Sequence, residues 1–236
     1  MREPIVFLPA MMCDARVFAP QIAALSGHHA MMFAPLTNAD NVREIATQVL
    51  AAAPMRFAAV GLAMGGIVAM EMARQAPDRI TKLCLMDTNP LAETPVSAAA
   101  REPQIIGAKA GRLEEVMRVE MKPEFLAPGA GRRAVLDQVM EMALELGTSV
   151  FVRQSRAMQK RPDQQRTLRQ LKIPTLVVCG EHDKLYPPKR HEFLAELIPD
   201  ARLEVVADAG HLPVLERPRV VNEILLDWLS APLVLR

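Results

Sequence analysis

The chain has 236 residues, half of them hydrophobic and 23% charged. That balance suits one large globular domain, or one with a modest insertion, and excludes a disordered or fibrous chain. Its 28 Lys+Arg nearly cancel 27 Asp+Glu, and it has one Trp and one Tyr, so neither a basic field for nucleic acid or membrane nor a stacking surface for bases is expected.

Cys13, Cys84 and Cys179 show no C-x-x-C spacing, and the last two fall inside apolar runs. They read as reduced, buried thiols. The first apolar stretch, Ile5 to Met12, is broken by Pro9 and is too short to span a membrane. With no signal-peptide pattern either, a cytoplasmic location is expected.

Six short apolar runs read as strands: 5–8, 30–34, 57–60, 83–86, 176–179 and 203–206. Their lack of in-and-out alternation predicts strands buried on both faces of a parallel sheet. Helical patterns separate them, at 42–53, 66–75, 189–197 and 219–229. In the last, Val220, Ile224 and Leu225 are expected to share a sheet-packing face with Trp228. The alternation predicts an α/β fold, a doubly wound, mostly parallel sheet of about six strands.

From Ser97 to Leu171 no strand candidate occurs, only helical patterns such as 113–119 and 133–146. The segment is expected to be a helical lid (97–171) inserted in a core formed by 1–96 and 172–236. It holds thirteen Lys/Arg against nine Asp/Glu, an excess that reads as solvated helix faces rather than attraction of an anionic substrate. Ser97-Ala98-Ala99-Ala100 reads as a hinge or helix start. The apolar tail Pro232-Leu233-Val234-Leu235 is a candidate for packing on a neighbouring copy, although the oligomeric state is not legible.

The most informative stretch is Val60-Gly61-Leu62-Ala63-Met64-Gly65-Gly66, after the third strand and opening a helix. It matches the nucleophile-elbow pattern G-x-S-x-G, with Ala63 where the serine belongs. Taken alone, it is more simply a glycine-rich turn between strand and helix. Two further loops change the balance. Gly180-Glu181-His182-Asp183 follows the fifth strand, and Ala207-Asp208-Ala209-Gly210-His211 follows the sixth. Both lie at the C-terminal ends of strands, where open α/β sheets bind ligands. A serine needs an imidazole as base, and the imidazole needs a carboxylate to fix its tautomer.

In this order of nucleophile position, acid and histidine, the chain resembles the α/β-hydrolase-fold esterases and lipases over nearly its whole length. The resemblance implies Asp183 as triad acid and His211 as base. It also places backbone N–H groups of Met11 and Met64 at an oxyanion hole, although Pro9-Ala10 stand where the family often has His-Gly. Met11, Met12 and Met64 are expected walls of an apolar substrate pocket. Asp87 is a second candidate acid. Cys13 is a conceivable thiol nucleophile but more simply a packing residue, His182 a loop residue and Asp208 a turn residue; His28, His29 and His191 are expected at the surface. No metal-ligand spacing and no nucleotide-binding glycine pattern is found, so no cofactor is expected.

The implied activity is hydrolysis of carboxylic esters, with lactones and amides open, through an acyl-enzyme. Ala63 has two explanations. It replaces a serine and leaves an inactive variant, or it records a natural loss. In the second case the chain is a small-ligand binding protein, or a His–Asp lyase or cofactor-free oxygenase.

Overall fold

In the central strands, successive side chains serve opposite faces of one sheet. Val6, Leu8, Leu83, Leu85 and Val177 join one hydrophobic cluster, whereas Ile5, Phe7, Cys84, Met86, Leu176 and Val178 join another. This is why the runs are continuously apolar: both faces are covered. The computed structural model describes residues 2–231; the tail 232–236, considered above for packing on a neighbour, lies outside them.

The chain runs β1 (Ile5–Leu8), α1 (Ala19–Leu25), β2 (Met31–Phe33), α2 (Val42–Ala52), β3 (Phe57–Leu62), α3 (Met64–Gln75) and β4 (Ile80–Met86). Four helices follow: α4 (Pro95–Lys109), α5 (Leu113–Glu120), α6 (Arg132–Gln159) and α7 (Gln165–Arg169). It closes with β5 (Thr175–Gly180), α8 (Pro188–Leu197), β6 (Ala201–Val206), α9 (Pro213–Glu216) and α10 (Pro218–Ser230). The strands are all parallel, in the order β2-β1-β3-β4-β5-β6. The fold is therefore α/β, with helices on both sides.

Several expectations need correction. The outer strands β2 and β6 are only partly buried, because an edge strand has one flank and part of a face open. Val220 is 41% exposed, and Val221 takes its place on the sheet-packing face of α10 with Leu225 and Trp228. His29 and His191 are buried rather than superficial. The helix expected at 133–146 continues to Gln159 across a break at Gly147, whose φ of 77° is left-handed. Ser97–Ala100 begins a helix, since the Thr94 side chain caps α4 by accepting from Ser97 N–H.

Two cations, the buried Lys82 and the partly buried Arg79, tie helix ends to the sheet. Lys82 on β4 donates through Nζ to the carbonyls of Trp228, Leu229 and Ala231, satisfying orphan acceptors at the end of α10. Arg79 does the same for Leu50, Ala53 and Pro54 at the end of α2. A third hydrophobic cluster joins Met12, after β1, to Ile105, Met117 and Phe151 of α4, α5 and α6. It seats those helices over the C-terminal ends of the strands.

Candidate active site

Ala63 stands between β3 and α3 with φ 48° and ψ −111°, a conformation that costs a residue with a Cβ on the order of 1–3 kcal/mol. The turn survives because it is held and because its neighbours are small. Ala63 N–H donates to the Met86 carbonyl at 2.8 Å, and the Ala63 carbonyl accepts from Gly66 and Ile67 N–H and from the Thr88 hydroxyl at 2.7 Å. A Cβ on Gly65 would lie 2.0 Å from the Leu8 carbonyl oxygen, and one on Gly61 would lie 2.5 Å from the Gly65 oxygen. The two glycines let β1, β3 and α3 meet without a side chain between them.

Asp183 and His211 come together. His211 Nδ1 and Asp183 Oδ2 are 2.8 Å apart and both residues are buried. Asp183 Oδ1 accepts from the N–H groups of Leu185 and Tyr186, which fixes the carboxylate. Burial pushes its pKa up, but the His211 charge and these hydrogen bonds together hold it below the ordinary carboxylate range. The Tyr186 ring lies 5.7 Å from the imidazole, centroid to centroid.

Asp87 does not contact His211 as a hydrogen-bond partner. It is fully buried behind Asp183, with Oδ1 accepting from Gly180 N–H at 3.0 Å. Burial and the neighbouring Asp183 charge raise its pKa well above normal, which favours the protonated form of Asp87 beside Asp183. Asp87, Asp183 and His211 have donor atoms within 4.8 Å of one another. The arrangement sets a buried pair of carboxyl groups beside an imidazole.

A cavity of about 530 Å³ contains Ala63, His211, Met11, Met12 and Met64 on its walls. The N–H groups of Met11 and Met64 have no acceptor among the described residues. That of Met12 is occupied, donating to Gln154 Oε1 at 2.8 Å. Cys13 also lines the cavity, but burial, then the Asp14 charge, pushes its thiol up to about 12, which is poor for a nucleophile. His182 stands in the β5 loop, and Asp208 occupies a turn with φ 53°.

Sequence reasoning missed three residues that hold the site's loops. Gln154 on α6 takes Met12 N–H and returns its own Nε2 to the Leu36 carbonyl. Glu216 on α9 accepts from Gly210 and Leu212 N–H, on either side of His211, and from Ala127 N–H. His191 on α8 accepts Thr88 N–H at Nε2, 3.0 Å away, and burial lowers its pKa to about 4. Gln154 and His191 bond main-chain groups far away in sequence, so no local motif signals them, whereas Glu216 adds the distant Ala127 to the nearby Gly210 and Leu212.

The chain is similar to a carbamate hydrolase assignment, RutD of Azorhizobium caulinodans, at 29% identity over 95% of this chain and 90% of the relative. It is similar to a pimeloyl-[acyl-carrier protein] methyl ester esterase of Neisseria meningitidis at 25% identity, covering 84% of this chain and 78% of that one. Among solved structures, a thermophilic esterase from Thermogutta terrifontis with malate bound aligns with a TM-score of 0.86 at 24% identity, over 96% of this chain and 89% of that chain. The alpha/beta hydrolase family profile matches residues 6–224, and the chain belongs to that family.

Proposed function

We propose that the chain is built as a serine hydrolase of carboxylic esters whose nucleophile position is filled by Ala63. The observation that carries this reading is the buried Asp183–His211 hydrogen bond at 2.8 Å on the wall of a cavity that also contains the strained elbow residue. Relatives named for carbamate and methyl ester hydrolysis support hydrolase function in general.

With serine at position 63, its Oγ attacks the ester carbonyl while His211 takes the proton, stabilised by Asp183. The N–H groups of Met11 and Met64 receive the developing oxyanion. His211 then protonates the leaving alcohol, and a water deprotonated by His211 releases the acid. The reaction needs no cofactor. The helices of 97–171 act as a lid over a core of 1–96 and 172–236, and the methionine walls suit a small or medium acyl group. No helix among the described residues is long and apolar enough to cross a membrane, and the three free, buried thiols suit a reducing, cytoplasmic setting.

The test is Ala63→Ser. Activity on short aryl esters is expected to rise by on the order of 10⁴–10⁶, with labelling by a fluorophosphonate and loss of both in the double variant with His211→Ala. A folded Ala63→Ser protein that neither hydrolyses an ester, lactone and amide panel nor becomes labelled overturns the reading. In that event Ala63 itself favours the second one, a small-ligand binding protein.

A further inference from the structure

The positive surplus of residues 97–171 is not all solvated surface. Arg101, Lys122 and Arg161 line the cavity, joined by Arg190 of α8, against two acids, Glu93 and Glu120. Arg161 is only 6% exposed. Its Nε donates to the Leu91 carbonyl at 2.9 Å. Its Nη1 is buried and makes no hydrogen bond, although it lies 3.2 Å from Glu93 Oε2. That oxygen is already taken, because Arg101 donates to it through Nε at 3.3 Å and Nη2 at 3.2 Å. Two largely buried guanidinium groups therefore share one oxygen of Glu93, which is the one acidic partner of Arg161 among the described residues. The second acid serves Arg101 alone: Glu120 accepts from Gln104 and has Oε2 3.7 Å from Arg101 Nη1, and no salt bridge among the described residues links it to Arg161. Lys122 and Arg190 are exposed and form no salt bridge among the described residues.

A buried cation with an unused donor is costly unless something pairs with it. A guanidinium's planar fork matches a carboxylate, and such charged bonds are about twice as strong as neutral ones. We infer that the Arg101–Glu93–Arg161 cluster is a subsite for a carboxylate, so that the substrate is an ester bearing a second, free carboxylate group. The inference rests on the hydrolase reading for the word ester, and on the cavity alone for the carboxylate.

Binding to the Ala63 protein is measured by calorimetry with monomethyl adipate, dimethyl adipate and butyl phosphate. Monomethyl adipate is expected to bind at least about tenfold tighter than its neutral diester, and the preference should shrink at high salt only modestly because Arg161 is buried. Arg161→Gln is expected to reduce the preference to about twofold, with Arg161→Lys in between. If Arg161→Gln does not fold, the exposed pair Lys122→Gln/Arg190→Gln is expected to lower it several-fold. Equal binding of the two adipate esters, or a preference unchanged in the folded variants, overturns the subsite. Tighter binding of butyl phosphate overturns the carboxylate assignment. None of these readouts involves turnover. A silent Ala63→Ser protein would therefore strike the hydrolase reading and leave the subsite standing, and the reverse also holds.

Discussion

The Thr88 hydroxyl donates to the carbonyl oxygen of Ala63 at 2.7 Å, so the loop after β4 holds the elbow after β3 in its strained form. The Thr88 side chain also fills the space over Gly66, where an added Cβ would meet its Oγ1 at 2.7 Å. Thr88→Val keeps that shape and removes one donor. Stability is expected to fall by about 1–2 kcal/mol, measured by urea denaturation, because the buried carbonyl keeps two weaker partners. In the Ala63→Ser background kcat should fall more than KM changes, since the variant loosens the elbow without touching the cavity. A kcat equal to that of Ala63→Ser alone would mean that the backbone bonds from Gly66 and Ile67 suffice.

Asp87 and Asp183 titrate in opposite directions, and this gives Asp87→Asn an unusual sign. A carboxyl whose folded pKa is raised contributes stability that is present below its unfolded value, about 4, and lost as pH rises towards the folded value. Asparagine has no proton to lose, keeps an acceptor for Gly180 N–H and can still donate to Asp183. Asp87→Asn is therefore expected to match the parent at pH 4 and to exceed it in stability at pH 8, by denaturant melts at both. Greater loss at pH 8 than at pH 4 would show that Asp87 is ionised in the folded chain.

Much of this fold is legible in the sequence because both faces of the central strands are covered, so 5–8 and 176–179 read as unbroken apolar runs. The boundaries are less legible where chemistry interrupts the run. β4 begins at Ile80, and Thr81 and Lys82 obscure its start; Lys82 is buried only because three carbonyls of the distant α10 end meet its ammonium. Asp183 and His211 are visible through their loops, since the pattern of residue types there is local. His191 is not, because its partner is the main chain of Thr88, and a histidine in a polar helix carries no sign of it. The surplus charge of 97–171 was countable, but which of its arginines turn inward depends on how α4, α5 and α6 pack.

Gly65 shows how tightly β1 approaches the elbow. A Cβ there would lie 2.0 Å from the Leu8 carbonyl and 2.7 Å from that of Pro9, both main-chain atoms that cannot swing aside. Gly65→Ala is expected to cost more than about 4 kcal/mol, because the loop carrying Met11 must move or the sheet must part. Gly27, whose added Cβ meets nothing within 4 Å, provides the matched control, with Gly27→Ala within about 1 kcal/mol of the parent. Thermal melts of the two variants separate the close approach from the general effect of adding a methyl group. Similar melting temperatures would refute the packing argument.

His191 should make the fold acid-sensitive. Burial holds its pKa at about 4 against an ordinary 6.5, with the Asp183 charge opposing and the His211 charge adding to the effect. Asp183, His211 and, behind them, Asp87 are thus the titrating neighbours to be kept constant. Since the folded pKa is depressed, the unfolded chain binds the extra proton between about pH 6.5 and 4, and stability falls as pH drops through that window. That window corresponds to about 3 kcal/mol lost across it, an upper figure for this residue. His191→Gln places a neutral acceptor near Thr88 N–H and removes the titration. It is expected to be about 1–2 kcal/mol less stable at pH 7.5, from imperfect packing, yet to lose less on going to pH 4.5. Urea melts at a series of pH values read this directly: a smaller slope in the variant supports a neutral buried imidazole, while parallel slopes would mean that His191 takes up its proton without opening the fold.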